Sequence, residues 1–247
     1  MSRVLILGAT SPIARAIAGE FARRRRCELW LAGRDAGELA LIAADVAVRF
    51  GVPCRAAAFD VTDYAGHAPL LAACSADGGL DGVVLAAGLM TDQAEAEGDP
   101  ARARAMFEVN FTGCASVLLT AAACLERQGQ GFLCVLGSVA GDRGRRSNYI
   151  YGAAKGGLAL FTQGLRARLA ASGVAVVTIK PGFVDTRMTF GMGGAAAALA
   201  ASPEAVARAV VAAVERGVGV VYAPAYWRLV MAVVRALPER LMWRLPL

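Results

Sequence analysis

The sequence predicts an α/β fold in which about seven strands form a doubly wound parallel sheet with helices on both faces. Apolar runs alternate with helix-length segments along the whole chain, which is the pattern of successive βαβ units. The composition is 57% hydrophobic and only 19% charged, as expected where central strands are buried on both faces. No linker divides the 247 residues, so we predict one domain, 1–247, that ends in a short apolar and basic extension over about 223–247.

The strand candidates are apolar runs of four to seven residues. In chain order they are VLIL, ELWLA, CRAAAF, GVVLAA, GFLCVLG, VAVVTIK and VGVVYA. A helix follows the first of them, because Ile13, Ile17 and Phe21 recur every four residues on one face. The arginines at 23–26 close that helix, where cations complement the helix dipole. No nucleic-acid motif accompanies them, so we expect no nucleic-acid partner despite the net charge of +6.

Two later segments are interpreted from their composition. Residues 109–125 carry no charge but fall short of the length that a bilayer needs, so we predict a buried helix. The Ala/Gly stretch 190–202 is either a mobile loop over a cleft or a flexible connection. It leads into the helix that SPEAVARAVVAAVERG predicts.

Composition also argues against two classes of protein. The six cysteines include no CxxC pair and His67 is the only histidine, so we expect reduced thiols and no metal site. The chain enters a strand without an apolar signal segment, and we therefore expect a cytoplasmic protein.

The turn after the first strand, GATSPIA, is a candidate phosphate-binding loop. Gly8 allows the tight turn out of the strand, and Ser11 is placed to cap the next helix. Pro12 suits the first helical position, where its missing N–H has no intrahelical acceptor. We expect phosphate to bind the amides of Ser11 and Ile13, the hydroxyls of Thr10 and Ser11, and the guanidinium of Arg34.

The strongest local signal for catalysis is the pair Tyr151 and Lys155, which lies thirteen residues beyond Ser138. On a helix, an offset of four residues places Lys155 beside Tyr151. A phenol with its ordinary pKa of about 10 is a poor acid at neutral pH, and a neighbouring ammonium stabilises the phenolate. Ser138 follows a strand, where open parallel sheets bind their ligands, and its hydroxyl suits a carbonyl oxygen.

Several segments resemble, in order, the short-chain dehydrogenase/reductase family over essentially the whole chain. They are residues 8–14, 60–63, 85–88, 151–155 and 181–186, together with Asn110 and Ser138. The resemblance implies a Rossmann-type sheet that binds NAD(P)(H), an oxidoreductase with Tyr151 as general acid, and a homodimer or homotetramer. It also implies that Lys155 stabilises the phenolate and binds the nicotinamide ribose. Ser138 would orient the carbonyl, and Asn110 would hold the water of a proton relay.

The resemblance assigns further cofactor contacts. They lie at Asp60, Val61, Ala87, Gly88, Pro181, Gly182, Val184 and Thr186. In NAD enzymes an acidic residue at the end of the second strand accepts from the ribose hydroxyl, whereas this strand ends in Gly33 and Arg34. Arg34 suits the 2′-phosphate, so we predict NADP(H) in preference to NAD(H), although Asp35 follows directly.

Two basic segments bear on the substrate. Arg143, Arg145 and Arg146, in the loop before the catalytic tyrosine, are either solvated or a clamp for an anionic substrate. Residues 222–247 combine tryptophans, long aliphatics and arginines, and Pro238 splits them into segments too short to span a bilayer. Such a tail either contacts the membrane interface or packs on the domain or on a second subunit.

Residues 141–151 and 223–246 are similar to the decaprenylphosphoryl-2-keto-pentose reductases, the reductase halves of an epimerase that makes an arabinose donor. This resemblance implies reduction of a sugar C2 ketone on a lipid phosphate, in partnership with a separate flavin oxidase. The arginines would bind the phosphodiester, and the tail would bind the polyprenyl chain or its bilayer. Two alternatives stay open: a reductase of another hydrophobic ketone, such as a β-ketoacyl thioester, and an NADP-binding regulator without turnover.

Overall fold

The computed structural model describes residues 2–76, 78–186 and 199–244. Its strands are β1 Arg3–Leu7, β2 Glu28–Gly33, β3 Cys54–Ala58, β4 Gly82–Leu85, β5 Gly131–Leu136, β6 Val174–Pro181 and β7 Val220–Ala223. They form a seven-stranded sheet in the order β3-β2-β1-β4-β5-β6-β7. Every neighbouring pair in it is parallel. Each predicted strand is present, which confirms the α/β prediction.

Helices connect the strands and cover both faces of the sheet. They are α1 Pro12–Arg25, α2 Ala36–Phe50, α3 Tyr64–Ser75, α4 Gln93–Gly98, α5 Pro100–Phe107, α6 Gly113–Gln128, α7 Tyr149–Leu169, α8 Pro203–Arg216, α9 Trp227–Ala236 and α10 Glu239–Met242. A π-helical turn, Glu108–Thr112, joins α5 to α6, and a 3₁₀ turn, Val139–Asp142, follows β5. Pro238 separates α9 from α10, as predicted. Residues 187–198, which hold most of the Ala/Gly stretch, lie outside the described residues.

The sheet is buried on both faces, as its composition predicts. In β1, Val4 and Ile6 pack with side chains of α1, α2 and α8. The alternating residues Leu5 and Leu7 pack with side chains of α3, α6 and α7 on the other face. Phe21 of α1 is fully buried on the predicted apolar face of that helix. The two helical layers thus cover both faces of the sheet and leave its carboxyl edge accessible to ligands.

The uncharged segment is a core helix. By length and composition alone, Pro100–Gln128 is the one stretch of residues 2–76, 78–186 and 199–244 that could cross a membrane, with mean hydropathy 1.4. The fold divides this stretch among α5, the π turn and α6. In α6, Cys114, Val117 and Leu118 are buried among side chains of the sheet, α3 and α7. The prediction of a buried helix over 109–125 is therefore confirmed.

The order of the strands creates a crevice at the carboxyl end of the sheet. The chain runs from β1 outward to β3 and then returns to place β4 on the other side of β1. The connections after β1 and β4 therefore diverge, and open α/β sheets bind ligands in the gap that results. The segments that follow β2, β3, β5 and β6 reach the same edge because all strands are parallel.

Candidate active site

Two adjoining cavities open at this edge of the sheet. One has a volume of about 380 Å³ and the other about 240 Å³, and they share Ser11, Pro12 and the backbone at 86–88. The predicted residues that line the larger cavity are Gly8, Thr10, Ser11, Arg34, Asp60, Val61, Ala87 and Gly88. Those that line the smaller cavity are Ser11, Ile13, Ala87, Gly88, Ser138, Tyr151, Lys155, Pro181, Gly182, Val184 and Thr186. Segments far apart in the sequence thus form one continuous cleft.

The turn after β1 has the predicted geometry. Gly8 adopts φ +81°, and a Cβ there would lie 2.7 Å from the amide nitrogen of Ala87, so the position requires glycine. Ser11 Oγ accepts from the Ala14 amide at 3.1 Å, which leaves its own proton free to donate. The Ser11 amide donates to the Gly8 carbonyl at 3.2 Å. The Ile13 amide has no acceptor within the helix, and phosphate binding by the amides of Ser11 and Ile13 stays a prediction.

The end of β2 presents a cation to the larger cavity. Arg34 is exposed and lines this cavity. The neighbouring Asp35 instead caps α2, where its carboxylate accepts from the Glu38 amide at 2.9 Å. Sequence reasoning missed Arg15, which lines the same cavity and forms an ion pair with Glu38. The available signal was its place in the first turn of α1, the helix that begins beside the predicted phosphate.

Asp60 and Val61 form another part of the larger cavity. Asp60 Oδ1 accepts from the amide of Thr62 at 2.9 Å and from its hydroxyl at 2.7 Å. These bonds, helped by the charge of Arg34, keep the pKa of the Asp60 carboxyl below its ordinary value. Asp60 is therefore an acceptor at neutral pH. His67 is buried behind this segment, with Nε2 3.2 Å from the Val61 carbonyl oxygen, so the single histidine supports the cavity wall.

Ser138, Tyr151 and Lys155 lie together on the smaller cavity. Ser138 begins the 3₁₀ turn, and its Oγ accepts from the Ala140 amide at 3.1 Å, which leaves the hydroxyl proton free. Tyr151 lies in the first turn of α7, and Lys155 Nζ lies 5.9 Å from the centre of its ring. Lys155 is 3% exposed and donates to the Leu136 carbonyl at 3.2 Å. No carboxylate among the described residues pairs with this ammonium, so its charge remains available to a phenolate.

Asn110 lies in the π turn and is fully buried behind the segment that follows β4. Its Nδ2 donates to the carbonyls of Leu89 at 2.6 Å and Met106 at 2.9 Å, and its Oδ1 accepts from the Leu89 amide at 3.1 Å. A Cβ on Gly88 would lie 3.2 Å from Asn110 Oδ1 and 3.6 Å from Lys155 Nζ, so these groups adjoin. Both N–H donors of Asn110 are used, so the amide fixes the backbone of the cleft. Its expected part in holding a relay water stays a prediction.

The segment 181–186 after β6 forms the opposite wall of the smaller cavity. The Gly182 amide donates to the Ala223 carbonyl of β7 at 3.0 Å. Trp227 of α9 packs on the Gly182 backbone so closely that a Cβ there would lie 1.9 Å from the indole nitrogen. Sequence reasoning placed Trp227 only in the tail. The structure makes it a support of the cavity wall.

A family model described as short chain dehydrogenase matches residues 2–193, which include the turn after β1 and the catalytic pair. The chain belongs to the short-chain dehydrogenase family. An uncharacterized oxidoreductase of Mycobacterium tuberculosis is 41% identical over 244 residues, covering 98% of this chain and 95% of the relative. An uncharacterized oxidoreductase of Streptomyces coelicolor is 37% identical over 242 residues, with coverages of 98% and 95%.

Solved structures share the fold of this short-chain dehydrogenase. A short-chain dehydrogenase from Sphingobium yanoikuyae, in complex with NADPH, matches with a TM-score of 0.82 at 24% identity and covers 97% of each chain. The protein is thus an oxidoreductase with the Rossmann-type fold of its family, as the sequence motifs implied.

The three arginines before α7 do not form one clamp in this dehydrogenase. None of them lines the cavity that contains Tyr151. Arg143 donates from Nη2 to the Leu237 carbonyl at 3.2 Å, at the end of α9, and Arg146 is exposed. Arg145 differs from both, because its Nε is buried without a hydrogen-bond partner and burial lowers its pKa. The three arginines therefore differ in their surroundings, and only Arg145, a partly exposed residue, has a buried nitrogen without a partner among them.

The tail of the dehydrogenase packs on the domain through one face only. Trp227 and Met231 are buried against the 3₁₀ turn and the segment after β6. On other faces, Leu229 of α9 is 72% exposed and Val233 is 57% exposed, while Trp243, just after α10, is 70% exposed. The packing alternative is therefore correct for Trp227, Met231 and Val234 of α9 and for Met242 of α10, and apolar side chains on other faces remain exposed.

The cysteines of the dehydrogenase are free thiols. Burial raises the pKa of Cys27 and Cys114 to about 11, and that of Cys54, Cys74 and Cys134 to about 12. Such thiols stay protonated and unreactive at neutral pH. Residues 2–76, 78–186 and 199–244 contain no cluster of three or more potential metal ligands.

Proposed function

We propose that this dehydrogenase uses NADPH to reduce a ketone on an amphipathic anion, with the 2-keto group of a polyprenylphosphoryl pentose as the specific substrate. The main support for the proposal is that Ser138, Tyr151 and Lys155 line the same cleft as the turn after β1. NADPH, when bound, supplies the hydride. The protein has to hold the carbonyl and deliver the proton.

The larger cavity suits a dinucleotide that carries a 2′-phosphate. Gly8 lets the chain turn closely past the backbone of the next strand, which opens the helix N-terminus to phosphate. Arg34 and Arg15 both line this cavity, as does Glu38, which pairs with Arg15, while the Asp35 carboxylate caps α2. The short-chain dehydrogenase from Sphingobium yanoikuyae was solved in complex with NADPH, which supports use of this cofactor here.

The polar side chains that line the smaller cavity have different roles in the reduction of the carbonyl. Ser138 already accepts a backbone hydrogen bond, so its hydroxyl is oriented to donate to the carbonyl oxygen. Tyr151 delivers the proton to that oxygen as the alcohol forms. Lys155, held by the Leu136 carbonyl, stabilises the phenolate that remains. Asn110 keeps the neighbouring backbone in place.

Two buried polar atoms lie in the loop that precedes Tyr151 in the sequence, outside the lining of the smaller cavity. Arg145 Nε and Asn148 Oδ1 both lack a hydrogen-bond partner among the described residues. Leaving such groups unpaired costs free energy, and a ligand that pairs with them recovers it. Phosphate oxygens fit a guanidinium, and a sugar hydroxyl can donate to an amide oxygen. We propose that the substrate extends from the cavity to these two atoms, which favours a sugar phosphate over an uncharged ketone.

We expect Arg145→Met to raise KM for a lipid-phosphate-linked keto-sugar by about 10- to 100-fold, because a charge-assisted contact to the phosphate is lost. KM for a small neutral ketone should stay within about threefold of the wild-type value, since that substrate has no phosphate. Initial rates of NADPH oxidation with both substrates measure the difference. Arg127→Met, at the exposed end of α6, is the matched control. Equal losses on both substrates would show that Arg145 only stabilises the loop.

The exposed apolar surface of the tail supports a lipid-linked substrate. We define this tail surface by Leu229, Val233 and Trp243. Exposed arginines at 228 and 235 accompany it on α9, and tryptophan with arginine suits the interface of an anionic membrane. We propose that the tail surface holds the enzyme on the cytoplasmic face of the membrane, where a separate flavin oxidase would supply the ketone.

The double substitution Leu229→Ser with Val233→Ser should weaken binding to phosphatidylglycerol vesicles by about tenfold or more, because two long aliphatics leave the interface. Activity on a small soluble ketone should not change, since neither residue lines the cleft. Vesicle co-sedimentation measures the binding, with Leu160→Ser on α7, 70% exposed, as control. If the wild-type protein does not bind vesicles and the double variant no longer forms oligomers, the surface is a subunit interface.

A further inference from the structure

We infer that Asp142 is a positioning residue that fixes the two walls of the smaller cavity relative to each other. Asp142 ends the 3₁₀ turn that begins at Ser138. Its side chain is 2% exposed and forms an ion pair with Lys180 Nζ. Its other carboxylate oxygen accepts from Tyr222 Oη at 2.6 Å. Both oxygens of a buried carboxylate are thus satisfied by groups from outside the turn.

Lys180 and Tyr222 reach Asp142 from two neighbouring strands. They are partners in the parallel register of β6 and β7, and Lys180 Nζ lies 5.6 Å from the centre of the Tyr222 ring. Lys180 is followed directly by Pro181 and Gly182, which line the smaller cavity. Ser138, at the start of the turn, lines the same cavity. One carboxylate therefore connects the wall that carries Ser138 to the wall formed by the segment after β6.

The same turn also contacts α7 without intervening side chains. A Cβ on Gly141 would lie 2.6 Å from the amide nitrogen of Gly156 and 2.7 Å from the carbonyl carbon of Lys155. A Cβ on Gly152 would lie 2.8 Å from the Ala140 carbonyl oxygen. The turn is therefore seated on the helix that carries the general acid. A shift of the turn changes the position of Ser138 relative to that helix.

The chemistry of the cluster suits a rigid connection. A buried ion pair is seldom more stabilising than a well-packed apolar group, but it fixes the directions of its partners. Burial and the bond to Asp142 raise the pKa of Tyr222 to about 12, so the phenol keeps its proton and remains a donor at neutral pH. None of Asp142, Lys180 and Tyr222 lines the smaller cavity, so their effect on reduction has to pass through the walls.

Asp142→Asn tests this role, because asparagine keeps the shape and can accept from Tyr222 but removes the charge that holds Lys180. We expect kcat for reduction of a small neutral ketone to fall by about 10- to 100-fold, as Ser138 is displaced. KM for the ketone and Kd for NADPH should change by less than about threefold. The milder Tyr222→Phe should lower kcat by about threefold to tenfold through the same displacement.

A second buried ion pair supplies the matched control. Arg3 Nε and Glu28 Oε2 lie 2.9 Å apart, with side chains 13% and 10% exposed, at the amino ends of β1 and β2 and away from the cleft. We expect Glu28→Gln and Asp142→Asn each to lower the melting temperature by about 5 to 10 °C, whereas Glu28→Gln should leave kcat within about twofold. Asp142→Asn with wild-type kcat and the same loss of thermal stability would overturn the positioning role.

Hydrogen exchange provides a readout that needs no turnover. Asp142→Asn should speed amide exchange in the turn 138–142 and in the segment 181–186, with little change in the central strands. The exchange measurement tests the role of Asp142 even if the protein reduces no ketone, whereas the kinetic measurement rests on the proposed function. Unchanged exchange in both segments would refute the connection between the walls, whatever the kinetics show.

Discussion

Tyr151→Phe is expected to lower kcat for ketone reduction by about 10²- to 10⁴-fold, because phenylalanine keeps the ring but has no proton to deliver. The loss should fall on kcat and not on cofactor affinity. Gly8, Arg34 and the helix N-terminus are untouched, so Kd for NADPH should stay within about threefold. Initial rates of NADPH oxidation and a fluorescence titration of NADPH measure the two quantities.

Tyr149→Phe is the control for this result. Tyr149 stands two residues earlier in α7 and is 47% exposed, so its hydroxyl is remote from the chemistry that we assign to Tyr151. This variant should keep wild-type rates. Full activity of Tyr151→Phe, or equal inactivity of both variants, contradicts the role of Tyr151 as proton donor.

Arg34→Glu is expected to raise Kd for NADPH by about 100-fold while changing Kd for NADH by less than about threefold. The substitution replaces attraction of the 2′-phosphate by repulsion, and NADH carries no phosphate at that position. Fluorescence titrations with both cofactors measure the preference. The pKa of Asp60 is held down partly by the charge of Arg34, so Arg34→Glu should also raise the pKa of that carboxyl.

Arg127→Glu makes the same change of charge at an exposed site on α6. It should leave both dissociation constants unchanged, which separates a local contact from the effect of net charge. A wild-type preference in Arg34→Glu would assign the phosphate to Arg15 instead, since that residue lines the same cavity.

The sequence predicts the sheet and the lining of the cleft well because both follow from local patterns. Solid apolar runs define strands buried on both faces, and parallel strands bring the residues after them to one edge. Ser138, Tyr151 and Gly182 therefore meet although they lie on different elements. The cap by Ser11 was predictable for the same reason, since it depends on neighbours in the chain.

The contacts that sequence reasoning missed depend on partners far away in the chain. Arg143 binds the Leu237 carbonyl across 94 positions, and no local pattern indicates that contact. Asn110 exchanges two hydrogen bonds with Leu89, 21 positions away, and Trp227 packs on a glycine of another element. A side chain's spare hydrogen-bonding capacity is a property of its packed surroundings, so it becomes visible only in the fold.

Reduction of a lipid-linked keto-sugar is tested most directly by measuring NADPH consumption and alcohol formation together on one substrate. The purified protein would be supplied with a polyprenylphosphoryl 2-keto-pentose in phosphatidylglycerol vesicles. We predict one new secondary alcohol for each NADPH oxidised, a rate that depends on Tyr151, and a kcat/KM about tenfold or more above that for a small neutral ketone. If NADPH binds but neither this substrate nor any other ketone supports oxidation that depends on Tyr151, the protein is not a reductase but an NADP-binding regulator.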